Sequence, residues 1–196
     1  MTVFDDVLAF WLTEVGQDRW YAQEDALDQA IRDRFGAAWE AAATGGLRDW
    51  CWCPQGTLAY LILTDQFPRN MFRGSARAFK TDPMALQAAK LGIARGFDMR
   101  VPEPQRQFYY LPLEHSEIPT DQNRAVRLIM DRMPQSDGTT LLHARAHRDV
   151  IRRFGRFPFR NAALGRPSDP DESGFLSEGG YGAVVRRLQE ESALPA

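Results

Sequence analysis

Apolar residues recur along the chain at helical spacing. Over Asp25–Ala43, Leu27, Ile31, Phe35, Ala38, Trp39 and Ala42 fall on one face of a helix, and Gly45-Gly46 follows as a helix-ending pair. Thr2 can cap an opening helix that carries Phe4, Val7, Leu8 and Trp11. Pro54 suits the first turn of a helix over about residues 54–66. Asp82-Pro83 starts one that runs through Leu86, Ala89 and Ile93 to Gly96, and Thr120 starts one that carries Val126, Ile129, Met130 and Met133. A helix over residues 140–154 is ended by Gly155 and Pro158, and Ser168-Asp169-Pro170-Asp171 marks one more start. Phe108-Tyr109-Tyr110-Leu111 is β-prone in composition, but it lies between Pro104 and Pro112 without alternation, so it reads as a short helix or connector. The pattern predicts an all-α fold: one helical domain over residues 1–176, then a C-terminal turn and loosely attached tail over 177–196.

Composition narrows the class. The chain has 196 residues, 44% hydrophobic and 26% charged, with five tryptophans and a formal net charge of −2. That balance suits a packed core and disfavours a nucleic-acid binder or a membrane-surface protein. The longest apolar run, residues 58–63, is far short of the roughly 20 residues that cross a bilayer. Asp5 and Asp6 stand where a secretory signal would carry positive charge, so the expected location is the cytoplasm. Cys51 and Cys53 are too few for a disulfide framework or a zinc site of their own, and they read as reduced residues packed beside Trp50 and Trp52.

Ionisable groups set among aromatics and prolines concentrate in Phe67-Pro68-Arg69-Asn70, His115-Ser116-Glu117 and Phe157-Pro158-Phe159-Arg160-Asn161. Such mixtures are costly to bury without polar partners, which suggests that the three segments meet. Asp65 shares a helix face with Leu58, Leu61 and Ile62 and so points inward, where Arg69 or Arg160 is the natural counter-charge, whether for structure or to orient a ligand. On the 140–154 helix, Arg145, Arg148, Arg152 and Arg156 form a stripe opposite His143, His147, Val150, Ile151 and Phe154. The stripe reads as a solvated face rather than a nucleic-acid surface. His143 and His147 lack the adjacent glutamate of a helical zinc motif, so no metal is expected; His143 reads as a core residue and His147 as core or pocket. His115 can transfer protons with help from Glu117 or Glu114, whereas neighbouring positions on a helix cannot form a Ser-His-acid triad around Ser116. Glu178-Gly179-Gly180-Tyr181-Gly182 lacks the lysine of a phosphate loop and reads as a turn.

Three ordered blocks, Asp65-Gln66-Phe67-Pro68-Arg69-Asn70, Leu111-Pro112 with His115-Ser116-Glu117, and Phe154-Gly155-Arg156-Phe157-Pro158 through Arg160-Asn161 to Leu164-Gly165-Arg166, resemble the bacterial domain of unknown function 924 family. The resemblance runs from about Val3 to Leu176. It implies an α-α superhelix similar to tetratricopeptide-repeat folds, although the chain shows no 34-residue period of its own. It implies a site drawn from Asp65, Gln66, Arg69, Asn70, Glu114, His115, Ser116, Glu117, Arg156, Arg160 and Asn161, to which the helix face of residues 140–154 adds His147. The leading expectation is a binding module whose inner polar groove takes an anionic small molecule or peptide, without a cofactor. The alternative is a hydrolase or lyase in which His115 acts as general acid or base with Glu117, and the third is a scaffold protein.

Overall fold

Thr2 opens the chain with a capping box: its hydroxyl accepts from Asp5 N, and the Asp5 carboxylate takes the Thr2 N–H. The computed structural model describes residues 2–136 and 138–193. It is all-α, with no strand among the described residues. The chain divides into two compact units, residues 1–112 and 113–196, a boundary that falls inside the stretch the sequence pattern groups together.

The first unit contains α1 (Val3–Leu8), α2 (Asp25–Ala43), α3 (Pro54–Leu61), α4 (Phe67–Met71) and α5 (Asp82–Ala94). Its core is aromatic. Phe67 takes the Trp11 ring edge-on at 5.3 Å and packs on Phe35 at 5.0 Å, while Trp20 meets Phe108 at 4.8 Å. Each of these rings is at most 4% exposed.

The helix expected over residues 54–66 does not end there. Its α-helical part stops at Leu61, a π-helical turn covers Ile62–Gln66, and α4 continues through Pro68. Proline has no N–H to offer the carbonyl four residues back, which is Thr64 O. The fully buried Thr81 hydroxyl donates to that carbonyl at 2.6 Å and accepts the Trp39 indole N–H at 3.1 Å. One threonine thus satisfies the backbone beside Pro68 and ties the start of α5 to α2.

α6 (Leu111–Glu114) carries the chain from the first unit into the second, which contains α7 (Pro119–Arg132), α8 (Thr139–Phe154), α9 (Asn161–Leu164), α10 (Pro170–Ser177) and α11 (Gly180–Ala193). Val150, Ile151, Phe157 and Phe175 form a buried cluster, with Phe154, Tyr181 and Val184 packed against it. Gly155 ends α8 at φ +69°, a left-handed position that glycine occupies without strain. Two details depart from the sequence pattern. Met130 is half exposed rather than part of the apolar face of α7, and α11 occupies most of the stretch expected to be a turn and tail. Gly179 does turn, at φ +102°, immediately ahead of that helix, and Gly180 opens it at φ +52°.

Replacing Thr81 by valine, a near-isosteric change, strands the Trp39 N–H and removes the donor to Thr64 O. The expected cost is about 1–3 kcal/mol, read as a lower urea midpoint with an unchanged slope. A midpoint equal to that of the wild type would show that the backbone at Pro68 needs no such donor.

Candidate functional site

The first block lies in the first unit, where its side chains hold helices together. Asp65, 1% exposed, takes a hydrogen bond from Gln66 Nε2 at 2.5 Å and lies 3.6 Å from Arg69. Arg69 therefore supplies the cation expected for Asp65. It also forks onto Asp82 at 3.0 and 3.1 Å and donates to Asp65 O. Burial disfavours the Arg69 charge, but Asp65 and Asp82 more than restore it, and the guanidinium is held above its ordinary value. Asn70 donates to Asp28 at 2.8 Å, and Asp28 is also paired with Arg73. These bonds tie α4 to α2 and to the start of α5.

The polar residues of the other two blocks lie in the second unit, where most of them form one lattice. Glu117 accepts Phe157 N at 2.8 Å and a two-pronged bond from Arg166 at 2.8 and 3.0 Å. Burial opposes its charge, yet these donors prevail and hold the carboxyl below its ordinary range. Arg166 continues to Asn161 Oδ1 at 3.0 Å, and Asn161 Nδ2 donates to Ser168 and to Glu172. Arg156 forks onto Glu172 at 2.5 and 2.7 Å. Glu172 also closes the capping box of α10 with Asp169. Arg156, which the helical wheel assigns to the solvated stripe, follows the Gly155 turn and so points to Glu172 instead. Ser116 donates to Asp121 at 2.9 Å and accepts Ile118 N, which ties the turn ahead of α7 to its first turn.

A different set surrounds His147. The Gln122 amide donates to the carbonyls of Glu114 at 2.5 Å and Ser116 at 2.7 Å, which fixes the turn at the end of α6. From that turn the Glu114 carboxylate enters the interior, 0% exposed, and neither of its oxygens is hydrogen-bonded. Its neighbour is His147 Nδ1 at 3.6 Å. The same nitrogen lies 2.9 Å from His143 O and 3.3 Å from Tyr181 Oη, both able to accept its proton. Tyr181 Oη is 2.7 Å from His143 Nδ1. Burial and the neighbouring His147 lower the proton affinity of His143, while Glu114 works the other way, so His143 is suited to accept the tyrosine proton as a neutral ring. The His147 ring is then walled by Phe157 at 5.5 Å, Tyr181 at 4.7 Å and His115 at 5.8 Å. The Arg160 guanidinium, 6% exposed, lies 4.4 Å from the centroid of the same Phe157 ring.

His115, His147 and Arg160 are thus gathered around one aromatic cluster, whereas Glu117, Arg156 and Asn161 belong to the lattice and Ser116 bonds to Asp121 instead. Tyr181 escapes notice in the sequence because its glycine-rich surroundings read only as a turn. The i, i+4 spacing of His143 and His147 is the visible signal for the pair, and the inward face of α8 places both. Among the described residues no group of three or more His, Cys, Asp or Glu side chains is placed to hold a metal ion. Cys51 and Cys53 are free thiols, and Cys53 Sγ accepts Gly56 N at the start of α3.

Glu172 gives the lattice an acid signature. Its hydrogen bonds from Arg156, reinforced by the Asp169 N–H and opposed by burial, lower its carboxyl from the ordinary 4.5 to about 2. A depressed carboxyl contributes stability that is fully present above its unfolded value and is lost as pH falls toward the folded one. The wild type should therefore lose stability between pH 4.5 and about 2 through this group, and Glu172→Gln, less stable at neutral pH, should lose less over that window. Urea midpoints measured across the window test this, and parallel curves for the two proteins would show that Glu172 does not carry it.

No curated protein matches this chain. A solved structure of a protein of unknown function from Agrobacterium tumefaciens is similar, with 42% identity and a TM-score of 0.84, over 90% of this chain and 98% of that one. No helix among the described residues is long and apolar enough to cross a membrane. Residues 7–180 match the family described as "Bacterial protein of unknown function (DUF924)", and the chain belongs to that family.

Proposed function

We propose that this protein binds a small anionic molecule or an acidic peptide at the His147 cluster of its second unit. The observation that carries this reading is the contact of the buried Glu114 carboxylate with His147 Nδ1. With Nδ1 directed at Glu114 and His143 O, the ring is held by one edge, and Nε2 is the nitrogen left for a ligand. When the ring takes its second proton, the Glu114 contact becomes an ion pair and Nε2–H becomes a charged donor. Arg160, stacked on Phe157, sets a positive charge beside the same ring, and Phe159, 42% exposed and 6.0 Å from Tyr181, adds an apolar edge.

The same dyad supports a second reading, acid–base catalysis by a hydrolase or lyase. A carboxylate that orients an imidazole is the usual equipment for proton transfer, and Glu114 stands in that relation to His147. Glu117, the partner expected for His115, is occupied by Arg166 and Phe157 N.

Thermal-shift titration with inorganic phosphate, citrate and an acidic peptide tests the binding reading. At a hundredfold excess over Kd, a ligand should stabilise the wild type by about 2.7 kcal/mol, a rise of several degrees in Tm. His147→Asn should remove most of the shift. A shift of equal size in His147→Asn, or none in the wild type with any of the three, would count against the reading. For the catalytic reading, ester and amide turnover should fall by about 10²–10⁴ in the same variant.

A further inference from the structure

A cavity lies wholly within the first unit, where the 3₁₀ stretch Arg48–Trp52 faces α3 and α5. It has a volume of about 270 Å³, and its wall includes Arg48, Cys51, Trp52, Tyr60, Leu91 and Arg95. We propose that it binds a small aromatic carboxylate: a single planar ring system bearing one acid group.

The aromatic part of the argument rests on Trp52. Its side chain is 73% exposed, an unusual position for the largest apolar ring available to a protein. The Arg95 guanidinium lies 5.6 Å from the Trp52 ring centroid, and the indole N–H points to Asp49 Oδ1 at 3.4 Å. The ring is thereby oriented at the cavity rim although most of it meets solvent. Flat ligands bury such a surface efficiently, and Leu91, half exposed, continues the apolar wall along α5.

The acid part rests on unanswered donors. Arg48 and Arg95 form no ion pair among the described residues; Arg95 is anchored by a bond from Nη1 to Cys51 O at 3.1 Å. Asp49, the one carboxylate in the wall, already faces the indole N–H, so the cavity carries net positive charge. Beneath it, Tyr60 is 3% exposed and its hydroxyl makes no hydrogen bond within the described residues. Burial keeps this phenol protonated, against the pull of Arg48, so it can donate. Burial likewise pushes the Cys51 thiol up to about 11, and a neutral thiol does not repel an acid. A buried hydroxyl donor and two guanidinia around an apolar wall form a carboxylate clamp.

The clamp is built on rigid backbone. A Cβ at Gly56 would stand 2.2 Å from Trp50 O, so the 3₁₀ stretch rests directly on α3. The cavity also selects by size. Its volume is near the lower limit of roughly 300 Å³ for ligand sites, which suits one ring with its acid group and excludes a nucleotide.

Calorimetric titration of the full chain with benzoate, 4-hydroxybenzoate and indole-3-acetate tests the proposal. Benzamide, which has the ring without the charge, and cyclohexanecarboxylate, which has the charge without the flat ring, serve as controls. At least one aromatic acid should bind saturably, with each control about tenfold weaker or worse. Trp52→Ala and Arg95→Gln, both at exposed positions, should each weaken that binding about tenfold while thermal melts without ligand stay unchanged. No saturable binding by the three acids overturns the proposal. Affinity that survives both substitutions overturns it equally, because the ligand would then sit elsewhere.

Discussion

A charge sealed among helices must be answered within reach, since an ion moved out of water without a partner costs several kcal/mol even after the protein relaxes. This chain answers several of its buried and half-buried carboxylates with arginine forks or amide donors. Asp28 is met by Arg73 and Asn70, Asp65 by Arg69 and Gln66, Glu117 by Arg166, and Glu172 by Arg156 and Asn161. Glu114 is met differently. It is fully buried, neither of its oxygens is hydrogen-bonded, and the His147 imidazole lies 3.6 Å from it. The forks explain how the helices are held, and the Glu114–His147 contact is the one on which the proposed binding site rests.

Much of the helical layout is legible in the sequence because caps and glycines act locally. Thr2 with Asp5, Asp169 with Glu172, and Gly155 after Phe154 mark boundaries that need no knowledge of distant residues. Pro68 is harder to read. A proline inside a helical pattern ordinarily ends it, and the continuation depends on Thr81, thirteen positions away, whose hydroxyl serves Thr64 O. The helix at Gly180–Ala193 is obscured for a related reason: Gly180 and Gly182 stand in its first turn, and glycines favour turns until a neighbouring surface gives the helix something to pack on.

The candidate site is legible in a different sense. Sequence pattern picks out residues that carry unusual chemistry, and nearly all of them prove to be engaged in specific contacts. Pattern does not say whether a contact is structural or functional, because Arg156–Glu172 and Glu114–His147 look equally charged on paper. The distinction lies in the third dimension: the Gly155 turn sends Arg156 toward α10, whereas α8 directs His147 at the end of α6. Tyr181 joins His143 and His147 from a helix whose sequence gives little hint of it.

The account depends on which ring nitrogen of His147 holds the proton when the ring is neutral. Nitrogen-15 correlation spectra of the imidazoles, recorded above their titration range, report this directly. The contacts to His143 O and Glu114 predict a protonated, pyrrole-type Nδ1 and a bare Nε2 for His147. A bare Nδ1 with the proton on Nε2 would contradict the orientation on which the site is built.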